Sequence, residues 1–110
     1  MNFVKVAEIR EFAAVAKKKI DFNGTEILLV RKKDAFYAIN NRCPHMGGSL
    51  YDGKIEGETI FCPKHGSGFN IKTGEVTEQG KLLFIKVNVK KIQTYPVKIE
   101  GNEILIGIES

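Results

Sequence analysis

Every cysteine and histidine of this chain lies in two short segments, and this arrangement constrains the fold more than any other feature. The segments read CPHMGGSL from Cys43 and CPKHGSGF from Cys62, which gives the spacing Cys-x-His, sixteen residues, Cys-x-x-His. Each segment therefore pairs a cysteine with a histidine, His45 in the first and His65 in the second. Thiolate and imidazole are common ligands of iron and zinc. The pattern predicts a metal centre that is held by two loops.

Proline and glycine shape both segments. Pro44 and Pro63 directly follow the two cysteines, and a proline fixes φ and stiffens the loop. Glycines follow each histidine and let the backbone pass close to a metal site. Because both segments lie between strand-like runs, a rigid sheet is expected to hold them facing each other.

The rest of the chain has the pattern of an all-β protein with short strands and frequent turns. Asn23-Gly24 between two strand-like runs predicts a hairpin, because both residue types accept positive φ, and Gly101-Asn102 predicts another tight turn. One helical turn is possible within 8–16, and 82–92 is interpreted as a strand or hairpin arm. The predicted strands are 3–6, 14–22, 25–31, 35–40, 54–56, 58–61, 94–100 and 103–108.

Length and charge exclude several classes of protein. The chain has 110 residues, which fits a single domain over 1–110. No stretch approaches the ~20 apolar residues of a membrane span, and the charged start lacks the pattern of a secretory signal. We therefore expect a cytoplasmic protein without a membrane partner. The net charge of +4 is mild, and Lys17–Lys19 is interpreted as a solvated or guarded edge strand, so no nucleic-acid partner is expected.

Two metal sites fit the four residues. A Cys2His2 zinc site would place all four ligands on one ion, although its usual spacing puts like ligands together. The alternative places two cysteines on one iron and two histidines on a second iron, which is Rieske ligation.

The two segments CPHMGG and CPKHGSGF resemble the ligand loops of Rieske-type [2Fe-2S] proteins, and the chain looks most like the soluble Rieske ferredoxins of oxygenase systems. AFYAIN, FNIKTGEV and TYPVKIEGNEILI are similar to family sequence as well. The resemblance implies an all-β fold, with an antiparallel β-sandwich or barrel base and a small cluster-binding subdomain of two loops at about 41–70. It also implies one [2Fe-2S] cluster, with Cys43 and Cys62 on the inner iron and His45 and His65 on the outer iron.

Several positions are expected to tune the cluster. Gly48 and Lys64 occupy the positions where respiratory Rieske proteins have two further cysteines, so that disulfide cannot form. Ser67 matches a serine that hydrogen-bonds a cluster sulfide in the high-potential branch, whereas Phe69 replaces its tyrosine. The expected potential is therefore low to middle within the Rieske range of roughly −150 to +300 mV.

Two further features lie close to the predicted cluster in sequence: the apolar residues of the first segment and the segment 79–93. Met46, with Pro44 and Leu50, is expected to form an apolar rim near the cluster. The segment 79–93 is longer than the covering loop of the family, and its role is open.

The implied function is one-electron transport rather than catalysis, from a reductase to an oxygenase or another acceptor, by a monomer. We keep three alternatives: a redox-responsive regulatory or assembly module with the same cluster, a structural zinc module, and the small subunit of a nitrite-reductase-like enzyme. Many of those small subunits lack the four ligands that this chain retains.

Overall fold

The computed structural model describes residues 2–44, 47–64, 66–82, 85–87 and 90–108. These residues form short β-strands and two 3₁₀ turns, Ile9–Phe12 and Leu50–Asp52. The strands are β1 (Asn2–Glu8), β2 (Lys17–Phe22), β3 (Thr25–Lys32), β4 (Ala35–Asn40), β5 (Lys54–Glu56), β6 (Thr59–Phe61), β7 (Gly68–Asn70), β8 (Val76–Glu78), β9 (Gly80–Leu82), β10 (Ile85–Val87), β11 (Thr94–Tyr95), β12 (Val97–Glu100) and β13 (Glu103–Ile108).

The described strands form three sheets and one hairpin, and all strand pairs are antiparallel. The outer sheet has the order β1-β13-β12, and the central sheet has the order β11-β4-β3-β2. The site sheet has the order β5-β6-β7-β8, and β9 pairs with β10 alone. The expected all-β fold class is confirmed.

The central sheet is buried on both faces, and β3 shows this best. Its residues 27–30 are all buried, at 1% exposure or less. Since side chains alternate along a strand, Ile27 and Leu29 point to one face and Leu28 and Val30 to the other. The two faces belong to two separate apolar cores, so the central sheet is the middle layer of the molecule.

The base core joins the central sheet to the outer sheet. Its buried members are Ala7, Phe12, Ile27, Leu29, Ala38, Ile104 and Ile106. The site core lies on the other face of the central sheet. Its buried members are Leu28, Val30, Ile39, Cys43, Leu50, Ile60, Cys62, Phe69, Ile71 and Ile92. Both cysteines are thus part of an apolar core and are supported from below by the rigid central sheet.

Most of the predicted turns are confirmed. Asn23 and Gly24 have φ of 52° and 86° and join β2 to β3, as a hairpin turn with positive φ requires. Gly101 has φ of 60° between β12 and β13. The single helical turn predicted within 8–16 is the 3₁₀ turn Ile9–Phe12. The basic run at 17–19 belongs to β2, which is an edge strand of the central sheet.

The predicted strands 14–22 and 94–100 differ most from the structure. The strand predicted from 14 begins at Lys17. The strand predicted over 94–100 is two strands in different sheets, β11 in the central sheet and β12 in the outer sheet. Pro96 separates them, because it has no N–H to donate to a ladder, and the chain passes from one sheet to the other at this residue.

The sequence interpretation missed β7 and β8, and the apolar run at 82–92 is only partly described. Within 82–92 the structure describes 82, 85–87 and 90–92, and β10 (Ile85–Val87) pairs antiparallel with β9 (Gly80–Leu82). This hairpin leaves the site sheet after β8 and returns to the site core at Ile92.

Candidate metal centre

The first loop, residues 43–48, connects β4 to the turn before β5 and is closed by its own backbone. The N–H of Cys43 donates to the carbonyl oxygen of Gly48 at 2.9 Å, and the N–H of Gly47 donates to the carbonyl oxygen of Cys43 at 2.9 Å. Gly47 has φ of 66°, in the left-handed region that favours glycine. The loop is therefore a tight turn that begins at the cysteine.

The second loop, residues 62–67, connects β6 to β7 and has the same hydrogen bonds at the same offsets. The N–H of Cys62 donates to Ser67 O at 2.8 Å, and the N–H of Gly66 donates to Cys62 O at 3.0 Å. Gly66 also has positive φ, 77°. The same two backbone hydrogen bonds thus close both loops. In the sequence, however, the histidine follows its cysteine by two residues in the first loop and by three in the second.

The two loops meet at Gly48. A Cβ atom on Gly48 would lie 3.1 Å from Cys62 Sγ and 3.2 Å from Lys64 Cγ and Cδ. The structure therefore brings together positions 48 and 64, where the resemblance implied a disulfide in respiratory relatives. Glycine at 48 leaves open the space beside the thiol of the second loop.

Both cysteine side chains are buried in the site core. Cys43 and Cys62 are each 3% exposed and pack with apolar residues of the central and site sheets. Thiolates in such surroundings require a positive partner, because burial of an uncompensated charge is costly. Ferric iron supplies that charge, so these two buried thiols fit the inner-iron ligands of a [2Fe-2S] cluster.

Ser67 supports the same fit. Its side chain is 1% exposed, and no other residue of the described ranges provides a hydrogen-bond partner for its hydroxyl. A buried hydroxyl without a partner costs about 1–3 kcal/mol. A cluster sulfide is an acceptor that would satisfy it. Phe69 is fully buried in the site core and has no hydroxyl to add a second donor.

Asn41, two residues before the first cysteine, fixes the ends of the first loop and is completely buried. Its Nδ2 donates to Glu26 Oε1 and to Ser49 Oγ, both at 3.0 Å, and its Oδ1 accepts from the N–H of Tyr51 at 2.8 Å. Its backbone also accepts from the N–H of Leu50 at 2.8 Å. The side-chain amide of Asn41 therefore connects the residues before the first loop to those after it by hydrogen bonds.

Arg42 holds the outer side of the same loop. Its Nη1 donates to the carbonyl oxygen of Gly47 at 2.9 Å, and its Nη2 donates to Glu26 Oε2 at 2.8 Å. The Arg42 guanidinium, followed by the Asn41 amide, lowers the pKa of the Glu26 carboxyl below its ordinary value. Glu26 on β3 thus connects the loop to the central sheet as a carboxylate.

Gly53 and Gly74 each let two segments of backbone pass close to one another near the site. A Cβ on Gly53 would overlap the carbonyl oxygen of Phe61, and a Cβ on Gly74 would overlap that of Ile92. Gly74 has φ of 78°, and its carbonyl oxygen accepts from the N–H of Ile92 at 2.9 Å. This contact brings the chain after the β9–β10 hairpin back to the site core.

The structure brings five of the predicted site residues together around the two loops: Cys43, Gly48, Cys62, Ser67 and Phe69. Their roles as ligands or tuning residues stay predictions. The same holds for His45, Met46 and His65, which lie outside the described residues. The rim predicted from Pro44, Met46 and Leu50 is wrong for Leu50, which is fully buried in the site core; Pro44 is exposed.

Asn41, Arg42 and Glu26 were not predicted as site residues. Asn41 and Arg42 directly precede the first cysteine, and this proximity was a usable signal. Glu26 lies on β3, far from them along the chain, and no sequence pattern predicts that it contacts them.

Comparison with known proteins agrees with this geometry. The family model of the Rieske [2Fe-2S] domain matches residues 2–96. The ferredoxin component of the naphthalene 1,2-dioxygenase/salicylate 5-hydroxylase systems of Ralstonia sp. is 37% identical over 90 residues, which cover 82% of this chain and 80% of that protein. The ferredoxin component of the naphthalene 1,2-dioxygenase system of Pseudomonas aeruginosa is 35% identical over 89 residues, 81% of this chain and 79% of that protein.

A solved structure is similar over the whole chain. The ferredoxin of carbazole 1,9a-dioxygenase from Nocardioides aromaticivorans IC177 has a TM-score of 0.82 and 30% identity, and the match covers 99% of this chain and 100% of that one. No described helix is long and apolar enough to cross a membrane. The matched loops, the buried thiols and these likenesses lead to one conclusion: the chain belongs to the Rieske [2Fe-2S] domain family, and its cofactor is a Rieske-type cluster.

Proposed function

We propose that this chain is a one-electron carrier whose cluster is held by Cys43 and Cys62 on the inner iron and by His45 and His65 on the outer iron. The observation that carries the proposal is the pair of matched loops, each of which places a thiol in the same apolar core. When bound, a cluster of this type accepts and releases one electron, and two thiolates with two neutral imidazoles give it a higher potential than four thiolates do.

The chain's own residues hold the metal centre in place and exclude water from its buried side. Asn41 and Arg42 hold the first loop, and the central sheet lies beneath both thiols. A rigid setting limits rearrangement when the charge of the site changes. Ser67 is buried at the second loop, where its hydroxyl would stabilise the added negative charge.

We propose that the electron comes from a reductase and goes to an oxygenase. The support is that relatives at 35–37% identity are named as ferredoxin components of naphthalene 1,2-dioxygenase systems. A carrier of this kind has no catalytic activity of its own; the substrate is oxidised by the oxygenase component.

We further propose that residues 1–110 form one domain, with 41–70 as its cluster-binding subdomain. The central sheet contributes to both cores, which supports folding as one unit. We also propose a cytoplasmic location, where reducing conditions keep the two cysteines available as ligands. Fractionation of cells that express the protein at native level tests this location.

Low-temperature EPR of the anaerobically purified, dithionite-reduced protein tests the cluster, with iron, sulfide and zinc measured on the same sample. We expect a rhombic signal with an average g value below that of four-cysteine ferredoxins, and two iron and two sulfide per chain. Cys62→Ser should lose the signal and the iron. A silent spectrum with one zinc per chain, which persists after anaerobic reconstitution, would instead identify a structural metal module.

A second measurement separates the carrier from a redox-responsive regulatory module. Reduction by a flavin-dependent ferredoxin reductase and reoxidation by a Rieske oxygenase should be fast and reversible. Slow electron exchange, together with a redox-dependent change in the affinity for a partner, would favour the regulatory module.

A further inference from the structure

The two loops themselves contain basic and no acidic residues, while Asp52, Glu58 and Glu75 directly adjoin their flanks along the chain. The first loop and its flanks (42–51), the second loop and its flanks (59–74) and the segment 79–93 contain seven of the 17 basic residues and none of the 13 acidic residues. Residues 42–93 as a whole have eight basic and five acidic residues, the same numbers as residues 1–41, so the loops are distinguished by which basic side chains lie beside them and not by an excess of charge along the chain.

Three of these basic residues are described, exposed and close to the loops. Lys64 belongs to the second loop and contacts Gly48 of the first, as the 3.2 Å approach to a Cβ built on Gly48 shows. Arg42 donates to the carbonyl oxygen of Gly47 in the first loop. Lys91 lines a shallow groove with Arg42 and Pro44. Exposed basic residues thus lie beside both loops.

Ion pairs neutralise two of these seven basic residues. Glu26 is the partner of Arg42 and Glu58 is the partner of Lys72, so both pairs are close to neutral. Glu78 lies opposite Gly68 at the end of the second loop. The side chains of Lys64 and Lys91, and of Lys90 beside it, are exposed, and none of the three forms an ion pair within the described part of the chain.

The geometry points to a basic docking surface beside the two loops, formed by Lys64 and Lys91, two lysines without an ion pair among the described residues, for a redox partner that presents an acidic surface at its own electron-transfer site. This inference rests on the proposed carrier function and specifies the partner's chemistry. Opposite charges would raise the rate of encounter and orient the loop tip toward the partner. An exposed ammonium group pairs well with a carboxylate across such an interface because neither group has to be deeply buried.

Oxidation of the reduced holoprotein by two small complexes of opposite charge tests the surface. Ferricyanide is an anion and tris(phenanthroline)cobalt(III) is a cation, and each takes one electron from one protein molecule, giving ferrocyanide and the cobalt(II) complex. The measured quantity is the ratio of the two second-order rate constants, anion over cation. A change in driving force moves both rates in the same direction, whereas a change in surface charge moves them in opposite directions.

The variants are a tip pair, Lys64→Gln with Lys91→Gln, and a control pair, Lys5→Gln with Lys98→Gln. Both pairs remove two positive charges, but Lys5 and Lys98 lie on β1 and β12 of the outer sheet, beyond the base core. At about 0.1 M ionic strength only charges within about 10 Å of the approaching complex act strongly. We expect the tip pair to lower the ratio by about threefold or more, and the control pair to change it much less.

Equal ratios for the two double variants would overturn the inference, since net charge alone would then explain the effect. A ratio unchanged by the tip pair would overturn it as well. The iron and sulfide content and the EPR signal of each sample are measured first. A protein without the cluster contradicts the proposed function, whereas a loaded protein with an insensitive ratio contradicts only the docking surface.

Lysine acetylation with and without poly-L-glutamate provides a readout that does not depend on electron transfer. The polymer represents an acidic surface, and mass spectrometry quantifies the protection of each lysine. Lys64 and Lys91 should be protected severalfold more than Lys5 and Lys98. Uniform protection across the chain would contradict a localised docking surface.

Discussion

Gly48 of the first loop lies directly against Cys62 of the second, because a Cβ on Gly48 would be 3.1 Å from Cys62 Sγ. This contact joins two turns that have the same backbone hydrogen bonds at equal offsets from their cysteines. The metal centre is thus built by two matching loops in contact, each with its cysteine in the site core. A side chain at position 48 would therefore occupy the space beside the Cys62 thiol.

Gly48→Ala is expected to weaken cluster binding. The added methyl would approach the Cys62 thiol, which the proposed iron ligation would hold in place, and overpacking of this kind costs about 1–3 kcal/mol. Iron and sulfide per chain should fall, and the remaining cluster should be lost faster on heating. Gly57→Ala is the control, since Gly57 has positive φ of 63° but no atom within 4 Å of its Cβ position. That variant should lose some stability at unchanged iron content; normal iron in Gly48→Ala would contradict the prediction.

Asn41→Ala is expected to lower the free energy of unfolding by about 2–3 kcal/mol, because it leaves buried polar groups without partners. The variant removes the donors to Glu26 and Ser49 and the acceptor for the Tyr51 N–H. Denaturant unfolding of the loaded protein measures the change. Asn102→Ala, at an exposed turn position, is the control and should change the free energy of unfolding by less than about 0.5 kcal/mol. Equal losses of unfolding free energy in the two variants would show that the Asn41 hydrogen bonds contribute nothing.

Glu26 is expected to make stability depend on acid pH. Its pKa is lowered in the folded protein, first by the hydrogen bond from Arg42 and then by that from Asn41. A carboxyl with a lowered folded-state pKa stabilises the protein above its unfolded value, about 4.3 for glutamate, and this contribution is lost as the pH falls through the folded value.

In Arg42→Gln the pKa of Glu26 should return toward its ordinary value, and the loss of stability on acidification below about pH 4.3 should become shallower. Carbon-13 NMR of the Glu26 carboxyl and unfolding curves at several pH values measure the two effects. An unchanged Glu26 titration in this variant would show that the ion pair does not form in solution.

Ser67→Ala is expected to lower the reduction potential while the iron content stays the same. A hydroxyl that donates to a cluster sulfide stabilises the reduced state, and a hydrogen bond is worth about 1 kcal/mol. For a one-electron couple, with 59 mV per tenfold change, this corresponds to about 40 mV. Ser49→Ala is the matched control, because the Ser49 hydroxyl accepts from Asn41 at 3.0 Å. It should affect stability and leave the potential unchanged; equal potentials in the wild type and Ser67→Ala would mean that the Ser67 hydroxyl points elsewhere.

The local sequence accounted for the turns and for the chemistry of the site. Asn23-Gly24 predicted its hairpin because only a few residue types accept two successive positive φ angles. The paired Cys and His residues predicted a metal centre because their chemistry and spacing suit few other roles. Such features depend on neighbours along the chain, and a single sequence displays them directly.

The strands of 94–100 show the limit of that approach. The residues have a continuous β-type pattern, but β11 pairs with β4 and β12 pairs with β13. Pairing partners lie far away in sequence, and the period of two is the same in either sheet. The sequence pattern therefore could not reveal that the chain changes sheets at Pro96.

Residue types and their spacing by themselves determined the all-β class, the two loops, the metal chemistry and the resemblance to the Rieske family. Only the tertiary structure decided that Leu50 is core rather than rim, that Gly48 lies against Cys62, and that Glu26 on β3 holds Arg42 beside the first loop. The physical reason is that ligand chemistry and turn geometry are encoded by residues close together in the chain. Burial and side-chain contacts instead depend on how the central sheet packs against two different layers.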